Sequence, residues 1–258
     1  MFLIKLGGSV ITEKALEKPS FKKKLVNDIV LTISKAKKDV IIVHGAGSFG
    51  HVLAKKYDLI NGCSSSIQKQ GFAETQGLVQ QLNSFVLNSF HENDLPAVSI
   101  PPHATVKLKN KLLHSINTEI FREYHDAGFI PITYGDVVLD ADLGCSICSG
   151  DLLVQALAQT FKPEAVLFLM DEDGLFTANP KKDKHARFID SIHVDTLDTL
   201  ATGLDDHADV TKGMEGKIQM IHQIVNNGSN TILLNGNKPD RLYDVLQGTK
   251  TICTVVHR

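Results

Sequence analysis

The sequence predicts an α/β protein in which helices cover a mostly parallel sheet, and three features carry that prediction. AVLFLM at 165–170 is a near-continuous apolar run, the pattern of a strand buried on both faces. Strand-like runs alternate with helically spaced segments, the order of a parallel sheet with crossover helices. Glycine clusters follow two of the runs directly, KLGGS at 5–9 and HGAGSFGH at 44–51, at strand ends of the kind where open parallel sheets hold ligands.

Taken in order, FLIKL (2–6) is a short strand that runs into Gly7 and Gly8. Residues 20–38 place Phe21, Leu25, Ile29 and Ile33 at helical spacing and end in basic residues that suit the C-terminal dipole. DVIIVHG (39–45) is the next strand, and HVLAKKYD (51–58) continues its glycine turn into a helix. NGCSSSIQKQG (61–71) reads as irregular, ahead of a long helix in FAETQGLVQQLNSFVLNSFHEN (72–93). PAVSIPP (96–102) is a strand closed by two prolines, LLHSINTEIFREYHDAG (112–128) a helix stopped by Gly128, and FIPITYGDVVLD (129–140) a strand, turn and strand. SGDLLVQALAQTFKP (149–163) is a helix behind a polar glycine turn, and the strand AVLFLM then ends in the acids and glycine of MDEDG (170–174). Helix MEGKIQMIHQIVNNG (214–228), strand TILLNG (231–236), helix PDRLYDVLQG (239–248) and edge strand TICTVVHR (251–258) finish the chain. The turns KLGGS, HGAGSFGH, YGD, MDEDG and LNG should therefore gather along one edge of the sheet.

With 258 residues, 43% of them hydrophobic, the chain can bury a core as one large domain or two closely joined lobes. A balance of 29 acids against 27 lysines and arginines gives no broad attraction to nucleic acid or to an anionic membrane, so an anionic ligand needs a local site. The opening MFLIKLGGSV reaches a charge and two glycines too early for a signal peptide, and no apolar run approaches membrane length. The expectation is a soluble, cytoplasmic protein. Four cysteines are few for a disulfide scaffold; the CSIC pair at Cys145 and Cys148 has no second pair to complete a zinc site, so the cysteines are expected to be ordinary thiols.

Glycine at a strand-to-helix junction lets successive amides face a concavity, and Gly7, Gly8, Gly45, Gly47 and Gly50 suit two anion pockets, although tight turns alone would also explain them. GAGSFG matches G-x-G-x-x-G literally, yet it follows the second strand, and no acid on a following strand completes a dinucleotide site. G-x-x-x-x-G-K-[ST], G-x-S-x-G and H-E-x-x-H are all absent. Lys5, Lys14 and Lys217 lie near glycine turns and offer charge to a transferring phosphoryl group, which needs positioning and charge compensation more than a base. Asp151 is placed to organise those lysines or help hold magnesium, with Asp136, Asp171 and Asp173 in reserve. His51, at the helical edge of its loop, is placed to donate to an acceptor phosphate, and His44 to buttress the turn.

KLGGS, HGAGSFGH, YGD, SGD, MDEDGLFT and DVTKGMEGKI occur in the order seen in the amino acid kinase superfamily, and the resemblance spans nearly the whole chain. Through KLGGSVIT and GAGSFGH the chain resembles the isopentenyl phosphate kinases of that superfamily. The resemblance implies a three-layer αβα sandwich with a mostly parallel central sheet. It implies one domain, 1–258, with an acceptor lobe at about 1–145 and a nucleotide lobe at about 146–258. The implied activity is transfer of the ATP γ-phosphoryl group to isopentenyl monophosphate, giving isopentenyl diphosphate for an alternative mevalonate route. The implied assembly is a homodimer, and the implied metal is Mg²⁺ bridging ATP phosphates.

Residue by residue, the resemblance makes Lys5, Lys14, Asp151 and Lys217 catalytic. Gly7, Gly8, Gly45, Ala46, Gly47, His51 and Gly150 would hold the acceptor. Lys5, Asp171, Asp173, Gly174, Lys212, Gly213 and Lys217 would hold the nucleotide, and no residue is assigned as a direct metal ligand. Two departures stand out. Met170 and Glu172 occupy positions where relatives carry threonine or serine and valine, and Lys212 replaces a usual glycine. The isoprenoid tail needs an apolar chamber, and a helix carrying Phe72, Leu78, Leu82 and Val86, with Ile132 nearby, could supply its wall, although ordinary core packing is the stronger reading of those residues. Left open are a related kinase acting on another small phosphate or on a phosphonate such as fosfomycin, and a non-catalytic nucleotide sensor.

Overall fold

The computed structural model describes residues 1–13, 19–178, 180, 182–197 and 211–258, leaving aside the side chains of 211–215 and 217. The chain begins β1 (Phe2–Leu6), a one-turn helix α1 (Gly8–Ile11), α2 (Lys23–Ala36), β2 (Val40–His44), α3 (Gly47–Lys56), a 3₁₀ turn (Leu59–Asn61) and α4 (Ser66–His91). It continues β3 (Ala97–Ser99), α5 (Pro102–Thr105), β4 (Val106–Lys109), β5 (Leu112–Ile116), α6 (Glu119–Asp126), β6 (Ile130–Tyr134), β7 (Asp136–Asp140), β8 (Gly144–Cys148) and α7 (Gly150–Phe161). The last part is β9 (Ala165–Met170), β10 (Leu175–Phe176), β11 (Phe188–Ile189), β12 (Ser191–His193), α8 (Thr211–Asn226), β13 (Asn230–Asn235), α9 (Pro239–Gln247) and β14 (Thr254–His257).

Eight strands form the central sheet in the order β12-β14-β13-β9-β1-β2-β6-β3. The described neighbours pair in parallel except β13 with β14. The sheet divides two cores, and the two-residue alternation of strand side chains decides which residue enters which. Phe2, Ile4 and Leu6 of β1 face a core shared with Ile29 of α2, Leu82 of α4 and Leu242 of α9. Leu3 faces the opposite core, built with Leu153 and Leu157 of α7 and Ile221 of α8. Two helical layers around a mostly parallel sheet are the expected three-layer sandwich.

Several local expectations are corrected. The long helix begins at Ser66 rather than 72 because Ser65 and Gln68 form a reciprocal capping box that starts it in the segment read as irregular. Residues 112–116 are the strand β5 rather than the start of a helix. They join a second, four-stranded sheet, β5-β4-β7-β8, where pairing with β4 overrides their apolar spacing. The C-terminal strand β14 lies inside the central sheet between β12 and β13, not at its edge.

The cysteines are also corrected. Cys63 and Cys145 form a disulfide, with Cα atoms 5.1 Å apart, while Cys148 and Cys253 are free. The CSIC segment is a strand, so Cys145 and Cys148, an odd number of residues apart, point to opposite faces and cannot act as one ligand pair. Cys145 meets Cys63 instead, through a loop that folds back with the Cys63 amide donating to the Leu143 carbonyl oxygen at 2.9 Å.

Candidate active site

The site begins with two neighbouring strand ends. β1 and β2 pair in register from Phe2 opposite Val40 to Leu6 opposite His44, so the glycine turns that follow them lie side by side. Main-chain bonds knit the row of strand ends together. Gly7 N–H donates to Leu169 O at 3.0 Å, Gly45 N–H to Leu6 O at 2.9 Å, and Gly135 N–H to His44 O at 2.9 Å. The two turns touch backbone to backbone: a Cβ on Gly8 would lie 2.7 Å from Gly47 N, and one on Gly45 2.6 Å from Gly8 N. Gly47 also holds a φ of +51°, in the left-handed region.

Alternation along β1 turns Lys5 to the same side as Leu3, toward α7. Its Nζ donates to Asp151 Oδ1 at 2.6 Å and lies 5.7 Å from the centre of the Phe168 ring. Gly150 leaves space for the lysine stem, since a Cβ there would stand 3.4 Å from Lys5 Cε and from His44 O. Ser149 caps α7 by accepting from Leu152 N–H at 3.1 Å. α3 has no side-chain cap from its Ala46 N-cap; Thr12 Oγ1 takes the Ser48 amide at 3.1 Å, and the positive end of the helix dipole faces the opening.

His51 sits on α3 beside this opening. Burial lowers its pKa from 6.5, and the Lys5 charge lowers it further, so the ring is neutral near pH 7. His44 is fully buried and buttresses the turn as expected. Its ring nitrogens lie 3.1 Å from Gly45 O and 3.2 Å from Asn83 Oδ1, and the ring stacks on Tyr134 at 5.2 Å. Burial, the largest cause, lowers its pKa despite those two contacts.

Lys5, Gly8, Gly45, Ala46, Gly47, His51, Gly150 and Asp151 all line one cavity of about 490 Å³. Its apolar wall includes Ala54, Val79, Val137 and Ile147, and the residues considered for a tail chamber pack in the core, the stronger of their two readings. Leu82, Val86 and Ile132 are in the core between sheet and helices, Leu78 packs against that core, and Phe72 packs beside Cys145. The reason is position along the helix: Thr75 and Val79 lie beside the cavity, whereas Leu82 and Val86, on the same face but further along α4, meet the core between sheet and helices.

Three residues that sequence reasoning did not select, His103, Arg241 and Thr12, enter the site. Asp136, on the cavity wall, is held by His103, whose Nδ1 lies 2.8 Å from Asp136 Oδ2, and its Oδ1 accepts from Val137 N–H at 2.8 Å. On the proposed nucleotide side, Asp173 Oδ1 accepts from Asn235 Nδ2 at 2.9 Å and from Arg241 Nη1 at 2.6 Å. The Asn235 bond, then those from Arg241, hold the Asp173 carboxyl below its usual range. Thr12 is the third, and its hydroxyl joins the two glycine turns. His103 and Arg241 carry no local motif, and only their distant partners mark them.

Asp171 and Gly174 flank Asp173 in the turn after β9. Gly7 lies in the β1 turn, its amide bonded to Leu169. The backbone of α8 passes through positions 212, 213 and 217, but the side chains of Lys212 and Lys217, and the surroundings of Gly213, lie outside the described residues, as does all of Lys14.

A parallel αβα sheet with two apposed glycine turns and a lysine–carboxylate pair at one edge defines a phosphotransferase class, and a model described as "Amino acid kinase family" matches residues 1–235. The isopentenyl phosphate kinase of Methanothermobacter thermautotrophicus is 37% identical over 256 residues, covering 96% of each chain. That of Methanocaldococcus jannaschii is 32% identical, covering 95% of each. A solved structure titled "X-ray structures of isopentenyl phosphate kinase" superposes with a TM-score of 0.86 at 33% identity, covering 98% of this chain and 99% of the other. The chain belongs to the amino acid kinase family, and within it to the isopentenyl phosphate kinases.

Proposed function

We propose that this protein transfers the γ-phosphoryl group of ATP directly to isopentenyl monophosphate, forming isopentenyl diphosphate. The observation that carries the reading is the composition of one cavity, where apposed phosphate turns, Lys5 and His51 share the space with an apolar wall of Val79, Val137 and Ile147. A small apolar tail bearing a phosphate needs both linings. A nucleotide acceptor would need polar partners for its base instead.

In this reading, the amides of Gly8, Ala46 and Gly47 and the His51 ring hold the acceptor phosphate, and its oxygen attacks the γ-phosphorus in line. Lys5, steered by Asp151, Lys14 and Lys217 offset the charge that develops, and no base is required because the attacking oxygen is already anionic. Gly7 and Gly150 give the backbone and the Lys5 stem their room. Asp171, Asp173, Gly174, Lys212 and Gly213 are assigned to the nucleotide. The two lobes, about 1–145 and 146–258, then meet at the Lys5–Asp151 pair, where acceptor and donor phosphates would face each other.

Mg²⁺ fits this site as an ion carried on the ATP phosphates. Among the described residues no group of three or more His, Cys, Asp or Glu side chains is arranged to hold a metal, and the two carboxylates on the cavity wall, Asp136 and Asp151, are paired with His103 and Lys5. When bound, the ion supplies charge neutralisation on the transferring phosphate. Our reading further takes the protein to be a homodimer, as the resemblance implies, and cytoplasmic, as its low cysteine content suggests; no helix among the described residues is long and apolar enough to cross a membrane.

The test is ATP consumption with isopentenyl monophosphate, dimethylallyl monophosphate, fosfomycin and uridine monophosphate, each with and without magnesium, with products identified by mass. Selective formation of isopentenyl diphosphate is the expected result. Turnover of fosfomycin or the nucleotide alone would replace the acceptor, and nucleotide binding without any product would replace the reaction by a sensor.

A further inference from the structure

The two phosphate turns are joined through one hydroxyl. Thr12, the last residue of the KLGGSVIT segment, is 1% exposed and follows the single turn of α1. Its Oγ1 donates to Gly8 O at 2.7 Å and accepts from Ser48 N–H at 3.1 Å, so one atom bridges the first glycine turn to the first turn of α3. The Thr12 amide donates to the same Gly8 oxygen at 2.9 Å. Thr12 also fills the space where a Cβ on Gly47 would be, which packs its side chain against the second turn.

The hydroxyl does more than connect two loops. By accepting from Ser48 N–H, it removes that amide from the set available to an anion. Ser48 is among the residues that line the same cavity, and its Oγ is buried without a hydrogen-bond partner. A buried hydroxyl left unpaired costs stability unless a ligand completes it. Its neighbours in the cavity are the phosphate turns and His51.

We infer that Thr12 is a positioning residue that holds Ser48 so that its hydroxyl donates to the acceptor phosphate. This rests on the acceptor assignment proposed above for the cavity. The division of labour is specific. Ser48 touches the substrate, and Thr12 acts only through Ser48 and the spacing of the two turns. Valine at position 12 keeps the shape but offers neither a donor to Gly8 O nor an acceptor for Ser48 N–H. Serine keeps both.

The experiment compares wild type with T12V, T12S, S48A and the T12V/S48A double variant, using steady-state kinetics with isopentenyl monophosphate and ATP, and amide hydrogen exchange at Ser48. S48A should lower kcat/KM for the acceptor about tenfold to a hundredfold, the range for losing a hydrogen bond to a charged group, while leaving the KM for ATP unchanged. T12V should produce a similar loss with faster exchange at Ser48, T12S should restore most of both, and the double variant should be little worse than S48A alone.

Additive losses in the double variant, wild-type kinetics in T12V, or T12S as impaired as T12V would each overturn the inference. S48A alone at wild-type kcat/KM for the acceptor would overturn the contact even if T12V fails to fold. If wild type phosphorylates a different acceptor, the kinase substrate is reassigned and the same comparison runs on that acceptor. If wild type turns over none, the proposed function falls, and unchanged Ser48 exchange in T12V would overturn the positioning role separately.

Discussion

Lys5 reaches Asp151 because strand alternation turns it toward α7 while the preceding and following residues enter the opposite core. The carboxylate is a third exposed, so the pair contributes little to stability and its value is directional. Asp151→Asn should therefore lower kcat by about a hundredfold or more with a melting temperature close to wild type, read from steady-state rates and a thermal melt. Large loss of melting temperature with kcat retained would reverse that assignment. The two histidines bear on acid stability. His44 and His51 are both lowered below 6.5, so the unfolded chain binds more protons than the folded one as pH falls past that value. Stability should be flat above about pH 7, then decline below 6.5 until the folded-state values are passed. His44→Asn should flatten the decline in urea midpoints measured from pH 7 to pH 5, even where it lowers stability at pH 7.

At the scale of elements, the second sheet shapes the cavity. β7 and β8 carry Val137 and Ile147 to its wall, and the Cys63–Cys145 disulfide ties the start of β8 to the loop before α4. The bridge closes 82 residues of chain, long enough for about 2–4 kcal/mol of stabilisation through the unfolded state. Urea unfolding in oxidising buffer should show that increment over the same protein in a thiol reductant, and C63S should lose the difference between the two conditions. Equal midpoints for wild type in both buffers would mean that the bond does not form in solution. Burial pushes the Cys148 thiol up to about 12, so this neighbour of Asp136 should stay unreactive toward alkylating agents while the fold is intact.

For the whole molecule, the proposed division into acceptor and nucleotide lobes makes the site separable. Ile147→Phe adds bulk to the apolar wall and should raise the KM for isopentenyl monophosphate about tenfold or more without changing that for ATP. Arg241→Ala releases Asp173 at the other end and should do the reverse. Kinetics with each substrate varied in turn would check both, and a change in both KM values from either substitution would argue against two separable halves.

Sequence by itself determined the chemistry of the strand ends. AVLFLM predicted a buried parallel strand, glycines after β1 and β2 marked the two turns that meet beside the cavity, and local order alone placed Lys5, His51 and Asp151 near such turns. These signals are local: period, glycine and helix start lie within a few residues of one another. The tertiary structure decided what depends on distant partners. It put residues 112–116 into a sheet through pairing with β4, chose Cys63 for Cys145, and set the Val79 end rather than the Leu82 end of one helix face beside the cavity. It also joined Thr12 to Ser48, His103 to Asp136 and Arg241 to Asp173. None of those pairs has a spacing that sequence periodicity can register, because each is made by elements brought together only when the sheet packs and buries its polar groups with partners.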